Sequence, residues 1–180
     1  ARNVKRIGDF ILSLIALTIF SPLFLICYIV IHMEDGGSAI FKQERIGRFG
    51  RPFYIYKFRS MTTHSEDAGA RLAAKEDARI TPVGRVIRAI HFDELPQLFN
   101  ILKGEMSVVG PRPERQIIAD QYTEEIPEFV LRLKVKAGLT GYAQVYGKYN
   151  TTPIDKLKLD LTYIQEYSYR LDLKLLLLIL

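Results

Sequence analysis

Residues 10–31 read FILSLIALTIFSPLFLICYIVI, an almost wholly apolar run that is broken by Ser13, Thr18 and the pair Ser21-Pro22. As a straight helix this run would be about 33 Å long, close to the thickness of one bilayer core. Pro22 removes a backbone donor and clashes with the preceding turn, so we expect a break near the middle of the helix. Ser21 can hydrogen-bond a carbonyl that the proline frees, which makes such a break tolerable in lipid.

Basic residues on both sides of the run indicate how it sits in the membrane. Those before it are Arg2, Lys5 and Arg6, and those after it are Lys42, Arg45, Arg48 and Arg51. Because positive charge favours the cytoplasmic side, both ends are expected there. This favours a re-entrant helix that enters one leaflet and returns; a simple spanning helix is the alternative. We therefore divide the chain into a membrane helix hairpin at 1–35 and a globular domain at 36–180.

Composition narrows the function of the globular part. The chain has 180 residues, enough for one compact domain, and a net charge of +5. That charge suits an anionic partner: nucleic acid, acidic lipid or a phosphorylated substrate. Cys27 is the one cysteine and lies within the apolar run, so no internal disulfide forms and packing or lipid contact is expected. No Cys/His cluster has the spacing of a zinc site.

The pattern of the globular part predicts an α+β fold, mainly helical, with a small β-hairpin and surface amphipathic helices. Ala39 to Met61 is typical of a hairpin, with glycines and a proline at its turn. Lys57 and Arg59 share one face at the end of its second strand. They could bind an anion or form an ordinary solvated strand end. Thr81-Pro82 then opens a helix that runs to about Ile90.

The second half of the chain alternates short strands and helices. Met106 to Val109 is expected to form a buried strand, Gly138 to Gly141 a turn, and Tyr142 to Tyr146 an extended segment. Asp155 to Tyr167 is helical in pattern. The leucine-rich stretch from Arg170 to Leu180 is too short to span a bilayer, so a helix at the membrane surface or against a partner is expected.

Asp93 and Glu94 are the strongest candidates for chemistry. An apolar helical stripe begins at Leu95 and Pro96 must lie in its first turn, so both acids fall at or just before a helix N-terminus. The helix dipole favours ionised carboxylates there. Adjacent carboxylates attract a hard cation such as Mg²⁺, and a carboxylate can also attack phosphorus. On spacing alone, however, a helix cap is the commoner role for an Asp-Glu pair.

Cations elsewhere in the sequence strengthen the catalytic interpretation. Arg88 shortly precedes the pair, and Arg112 lies in the stiff loop Gly110-Pro111-Arg112-Pro113. Together with Lys57 and Arg59 they would ring a dicarboxylate with positive charge if the fold brought them together. Such a ring suits a pyrophosphate with its metal, because Arg–phosphate hydrogen bonds are strong and directional.

Short motifs follow one another along essentially the whole chain. They are Lys5-Arg6 with Asp9, Ser21-Pro22, Tyr56-Lys57-Phe58-Arg59-Ser60-Met61, Asp93-Glu94-Leu95-Pro96-Gln97, Gly110-Pro111-Arg112-Pro113, Gly138-Leu139-Thr140-Gly141, Gln144, Asp160 and Asp172. In this order and spacing, the sequence resembles the bacterial sugar transferases, the monotopic polyprenol-phosphate phosphoglycosyl transferases.

The resemblance implies a two-step transfer. Asp93 would attack the β-phosphate of a nucleoside-diphosphate sugar, with a UDP-sugar as the expected donor, and UMP would leave. Undecaprenyl phosphate would then take the phosphosugar. Glu94, with Asp93, would hold Mg²⁺. The residues that the resemblance assigns to substrate or phosphate binding are Lys57, Arg59, Arg88, Arg112, Gln144 and Asp172.

The resemblance also implies a cellular setting. The catalytic domain would lie on the cytoplasmic face of the bacterial inner membrane and perform the first membrane step of glycoconjugate or exopolysaccharide synthesis. No nucleic-acid partner is expected, and an oligomer is compatible with the family. Tyr142, Tyr146 and Tyr149 resemble the catalytic domain of larger exopolysaccharide enzymes, which leads us to expect a further N-terminal region in the natural protein.

Two other functions are compatible with parts of the sequence. A non-catalytic membrane scaffold would account for the basic surface and the apolar ends, but it does not require the Asp-Glu pair or a proline-flanked arginine. A lipid-phosphate hydrolase would use the same covalent step with water as acceptor.

Overall fold

The computed structural model describes residues 2–63, 77–147 and 151–179. Tyr149 therefore lies outside the described residues. The helices are α1 (Arg2–Asp35), α2 (Pro82–Ala89), α3 (Gln97–Lys103), α4 (Gln116–Glu125), α5 (Tyr142–Tyr146), α6 (Pro153–Gln165) and α7 (Tyr169–Ile179). The strands are β1 (Ile40–Ile46), β2 (Pro52–Phe58), β3 (Ser107–Val109) and β4 (Gly138–Thr140). The expected fold class, mainly helical with a small β component, is confirmed.

Helix α1 carries the apolar run with Pro22 inside it. Proline at this position leaves the carbonyl of Thr18 without its helical donor. The hydroxyl of Ser21 donates to that carbonyl at 2.9 Å. The hydrogen bond expected from the Ser-Pro pair is thus present, although the assigned helix is continuous from Arg2 to Asp35.

Both ends of α1 pack on the same globular body. Near its N-terminus, Arg6 donates to the carbonyl of Leu102 at 2.6 Å. Near its C-terminus, Glu34 accepts from the backbone N–H of Val83 at 3.3 Å. The stretch Asn3–Glu34 of this helix has the length and apolar composition needed to cross a membrane, and little of its most apolar part is buried inside the protein. The helix therefore runs along the body and presents a broad apolar surface.

Strands β1 and β2 form the expected antiparallel hairpin, with Ile46 opposite Pro52. Its buried face joins the main core, to which Ile55 of β2 and Ile101 of α3 both belong. The buried side chain of Asn100 fixes this packing, because its amide donates to the carbonyl of Tyr54 at 2.7 Å and its carbonyl accepts from the N–H of Tyr56 at 3.0 Å. This holds the middle of β2 next to α3.

Two local expectations in the second half are wrong. The predicted turn at Gly138 is strand β4, which pairs in parallel with β3, and the predicted extended segment is the helix α5. The glycines serve close packing of backbone on backbone: a Cβ at Gly138 would lie 2.1 Å from the nitrogen of Gly110. In α5, the rings of Tyr142 and Tyr146 pack 4.6 Å apart, one helical turn from each other.

Helix α7 confirms a helix in the leucine-rich stretch. Leu175 is buried in the core, whereas Leu173 and Leu177 are exposed. One face thus packs on the domain while apolar side chains remain on the other. Contact of this helix with a membrane surface stays a prediction.

Candidate active site

Asp93 and Glu94 lie in a short 3₁₀ turn, Phe92–Glu94, between α2 and α3. Helix α2 begins as the sequence predicts, with Thr81 accepting from the N–H of Gly84 at 2.9 Å. The turn itself starts at His91, which has a left-handed backbone with φ of 55°. Neither this turn nor α3 has a side-chain cap hydrogen bond at its start. The two acids therefore precede the helix, as expected, but they do not cap it.

Glu94 is held by two cations from distant parts of the chain. Its Oε1 lies 2.7 Å from Lys57 Nζ and 2.5 Å from Arg112 Nη2, and its Oε2 accepts from Arg112 Nη1 at 3.3 Å. Burial by itself would raise the pKa of Glu94, but the charges of Arg112 and Lys57 outweigh it and lower that pKa to about 2. Glu94 is consequently ionised at any physiological pH.

Asp93 has a different environment. Within the described part of the chain, no residue makes a hydrogen bond or ion pair with its carboxylate, which faces a large cleft. Burial raises the pKa of Asp93, and the nearby charge of Lys57 offsets this only in part. The two acids thus differ: Glu94 is ionised and paired with two cations, whereas Asp93 has a raised pKa and makes no bond to a described residue. We expected the helix N-terminus to favour the ionised form of both acids, so the direction at Asp93 is a correction.

The cleft beside Asp93 has a volume of about 910 Å³ and is strongly cationic. Its basic side chains are Arg45, Lys57, Arg59, Arg79, Arg88, Arg112, Arg115 and Lys156, and its carboxylates are Asp93 and Glu114. We call it the cationic cleft. The fold thus brings together the four cations that the sequence singled out near Asp93.

Sequence reasoning missed the other half of these cations. Arg115 closely follows the Gly-Pro-Arg-Pro loop, a signal that was available. Arg45 belongs to β1, and its place in the sequence marks it only as a charge flanking the membrane helix. Nothing local marks Arg79 or Lys156, because neither belongs to one of the short motifs that the sequence displays.

The Arg112 loop is anchored by a buried ion pair. Arg132 Nη2 lies 2.7 Å from Asp160 Oδ2 and donates to the backbone carbonyl of Arg112 at 2.8 Å. Both side chains are almost inaccessible to solvent. A buried pair of this kind is costly to break, so it fixes the loop and with it the guanidinium of Arg112. Asp160, one of the motif acids, therefore positions Arg112 indirectly, through Arg132.

Gln144 and Asp172 do not line the cationic cleft. Gln144 donates to the carbonyl of Leu139 at 3.1 Å. Asp172 forms an ion pair with Lys5 at 2.5 Å and accepts from the hydroxyl of Tyr163 at 2.8 Å. The structure gives both residues packing contacts within the body, and a role for either in substrate binding stays a prediction.

The carboxylates fit a metal in part. Mg²⁺ binds proteins through one or two carboxylates together with substrate phosphates. Asp93 has oxygens to offer, whereas both oxygens of Glu94 are taken up by Lys57 and Arg112. Among the residues at 2–63, 77–147 and 151–179, no group of three or more His, Cys, Asp or Glu side chains comes together. A metal here would therefore depend on Asp93 and on the substrate.

Comparison with known proteins finds one family whose model matches the whole chain. A family model described as bacterial sugar transferase matches residues 1–180. Among curated relatives, the UDP-N-acetylgalactosamine-undecaprenyl-phosphate N-acetylgalactosaminephosphotransferase of Aeromonas hydrophila is 45% identical over 172 residues. The UDP-glucose:undecaprenyl-phosphate glucose-1-phosphate transferase of Klebsiella pneumoniae is 42% identical over 179 residues.

These relatives are longer than the chain. The matched region is 94% of the chain and 41% of the Aeromonas protein, and 97% of the chain and 38% of the Klebsiella protein. A shorter relative, the putative undecaprenyl-phosphate N-acetylgalactosaminyl 1-phosphate transferase of Bacillus subtilis, is 48% identical over 130 residues, which are 72% of the chain and 73% of that protein.

Proposed function

This chain belongs to the bacterial sugar transferase family, and on that premise we propose that it transfers a sugar 1-phosphate from a UDP-sugar to undecaprenyl phosphate. The names of its relatives support this donor and acceptor class. The observation that carries the proposal is the unengaged carboxylate of Asp93 facing a cleft rich in cations. A diphosphate donor and a phosphate acceptor are both anions that such a cleft attracts.

In the first step, an oxygen of Asp93 attacks the β-phosphorus of the UDP-sugar. The bond from that phosphorus to the bridging oxygen breaks, and UMP leaves with the electron pair. The sugar phosphate stays on Asp93 as an acyl phosphate. Burial makes Asp93 more basic, which favours its attack. Cations along the cleft stabilise the negative charge that develops on the leaving phosphate.

In the second step, a phosphate oxygen of undecaprenyl phosphate attacks the same phosphorus. The acyl–oxygen link to phosphorus breaks, which restores the carboxylate of Asp93 and yields undecaprenyl diphosphate-sugar. Since the first product leaves before the acceptor reacts, one small site can serve a soluble donor and then a lipid. Lys57 and Arg112, which Glu94 orients, would bind phosphate oxygens in both steps.

We propose Mg²⁺ as the cofactor, held by Asp93 and by substrate phosphates. When bound, the ion would neutralise part of the negative charge on the diphosphate of the UDP-sugar. Glu94 would join its ligands only if Lys57 or Arg112 moved onto the substrate, because both of its oxygens now accept from these cations. While these contacts persist, the role of Glu94 is to orient Lys57 and Arg112.

We propose further that α1 is re-entrant and that both of its ends lie on the cytoplasmic face of the inner membrane. Contacts of both ends with one globular body support this, since a straight spanning helix would carry one end to the opposite side. Arg6 and Glu34 mark these two contacts. The hydrogen bond from Ser21 to Thr18 supports a tolerated irregularity at Pro22.

Incubating the purified chain with Mg²⁺, undecaprenyl phosphate and a panel of UDP-sugars tests the proposal. Transfer predicts release of UMP with one class of sugar and formation of a lipid-linked sugar. UMP release that continues with water alone, without lipid product, would instead identify a hydrolase. Absence of UMP with every donor, from protein that still binds membranes, would favour the scaffold function.

A further inference from the structure

A second cavity, of about 480 Å³, shares no lining residue with the cationic cleft. We call it the N-terminal pocket, because the first turns of α1 form one of its walls. Its basic residues are Lys5, Arg6, Arg48, Lys134 and Lys136. Its one lining carboxylate is Asp9. The size is within the usual range for small-molecule sites.

The two carboxylates near this pocket are already engaged. Asp9 is buried and accepts from the hydroxyl of Ser107 at 2.7 Å. Asp172 forms the ion pair with Lys5 at 2.5 Å, which neutralises that lysine. Because Asp172 pairs with Lys5, Asp9 is the one lining carboxylate that faces the four other basic side chains of the pocket.

Those other cations have only neutral partners in the described part of the chain. Arg6 donates to the carbonyl of Leu102 at 2.6 Å, and Arg48 donates to the carbonyl of Lys134 at 3.1 Å. Lys134 and Lys136 make no ion pair with any described residue. Burial and the charge of Arg6 lower the pKa of Lys136, the charge of Asp9 offsets this in part, and the charge of Arg48 lowers it further. Four cations that repel one another line one cavity, and an anion inside it would offset that cost.

The location of the pocket points to the source of the anion. Exposed apolar side chains of α1 flank Arg6 on both sides, at Val4 and Ile7, and continue beyond the pocket wall with Phe10 and Ile11. Tyr167, on another wall, leads into α7 with its exposed Leu173. Helices α1 and α7, which both carry exposed apolar side chains, thus start beside this pocket. Basic and tyrosine side chains in such a position are typical of the level of lipid headgroups.

We propose that the N-terminal pocket binds the phosphate of an acidic phospholipid headgroup, at a site distinct from those for donor and acceptor. Lys134 and Lys136 make no ion pair with a described residue, Asp9 is the one carboxylate of the lining, and Arg6 and Arg48 complete the walls. The lipid source rests on α1 lying in the membrane as proposed above, but not on any step of the transfer reaction.

Native mass spectrometry of the full chain in neutral detergent tests this site. Phosphatidylglycerol should remain bound as one copy per chain, and phosphatidylcholine should not. The double variant Lys134→Gln, Lys136→Gln should bind phosphatidylglycerol about 25-fold more weakly, about fivefold for each charge removed. The matched control is Lys42→Gln, Lys158→Gln, which removes two exposed lysines outside the pocket and should leave binding unchanged. Far-UV circular dichroism of each variant reports whether it is folded.

Two results would overturn the proposal. Equal binding of the two lipids, or unchanged binding in the folded pocket variant, would show that the pocket does not recognise the headgroup. Inorganic phosphate provides the third arm of the experiment. If it displaced phosphatidylglycerol completely at equal concentration, the pocket would be a site for soluble phosphate and the lipid assignment would be wrong.

Discussion

Asp93 is the residue on which the proposed chemistry depends. Asp93→Asn keeps the size of the side chain but removes the nucleophilic oxygen, so we expect UMP release to fall by several orders of magnitude. The free energy of unfolding should change little, because no described residue bonds to this carboxylate. Release of UMP from a UDP-sugar measures the first effect, and chemical unfolding in detergent measures the second.

Asp120→Asn is the matched control for this variant. Asp120 is exposed on α4 and its carboxylate contacts Gln116 on the same helix. UMP release by this variant should equal that of the parent chain. Comparable turnover in the Asp93 and Asp120 variants would remove Asp93 from the role of nucleophile.

The low pKa of Glu94 predicts how the free energy of unfolding depends on pH. Its pKa of about 2 in the folded chain lies below its ordinary value of 4.5, so its ionised form stabilises the fold above pH 4.5. This stabilisation, at most about 3 kcal/mol, is lost as the pH falls from 4.5 toward 2. Glu94→Gln cannot ionise and leaves Lys57 and Arg112 without their carboxylate, so it should be less stable than the parent at neutral pH.

The difference in unfolding free energy between parent and Glu94→Gln should therefore shrink as the pH falls from about 5 to about 2. Denaturant unfolding at a series of pH values measures it. Glu44→Gln, an exposed position on β1, should show no comparable trend. A constant difference for Glu94→Gln across this range would mean that the ion pairs with Lys57 and Arg112 do not hold Glu94 ionised.

The sequence identifies the Asp-Glu pair but does not show that the two acids have different partners. The difference arises because Lys57 and Arg112, which lie 37 and 18 residues from Glu94 in sequence, both bind Glu94. Local spacing favoured a helix cap for Asp93, and only the tertiary arrangement leaves that carboxylate facing the cleft. The assignment of nucleophile and partner came from family resemblance, and the geometry is compatible with it.

At the scale of elements, the parallel pair β3–β4 shows why glycine occurs at Gly138. Replacing it with alanine would place a Cβ 2.1 Å from the nitrogen of Gly110, which lies in backbone that cannot yield cheaply. We expect Gly138→Ala to lose about 3 kcal/mol in unfolding free energy. Gly8→Ala is the control, because nothing lies within 4 Å of its Cβ and alanine favours the helix, so its stability should stay equal or rise slightly. Equal stability of both variants, measured by denaturant unfolding, would contradict the close packing.

Elements with local signals were predicted well. Thr81-Pro82 marks the start of α2, and Gly104, with φ of 88°, ends α3 at the position where glycine is favoured. The sequence predicts a turn at Gly138 to Gly141 because glycine is common in turns. Their real constraint is the approach of Gly110, a contact across the chain that a sequence pattern does not display.

For the whole molecule, the placement of α1 relative to the bilayer is the remaining prediction. Ile7 and Met33 lie at its two ends and are both exposed. In a Cys27→Ser background, Ile7→Cys and Met33→Cys should both escape a membrane-impermeant maleimide in spheroplasts and both react in inverted vesicles. Lys158→Cys, on an exposed side of α6, serves as the reference for the face on which the domain lies. Reaction of Ile7→Cys in spheroplasts, with Met33→Cys protected, would establish a spanning helix, and the contacts of Arg6 and Glu34 with one body would then have to break in the membrane.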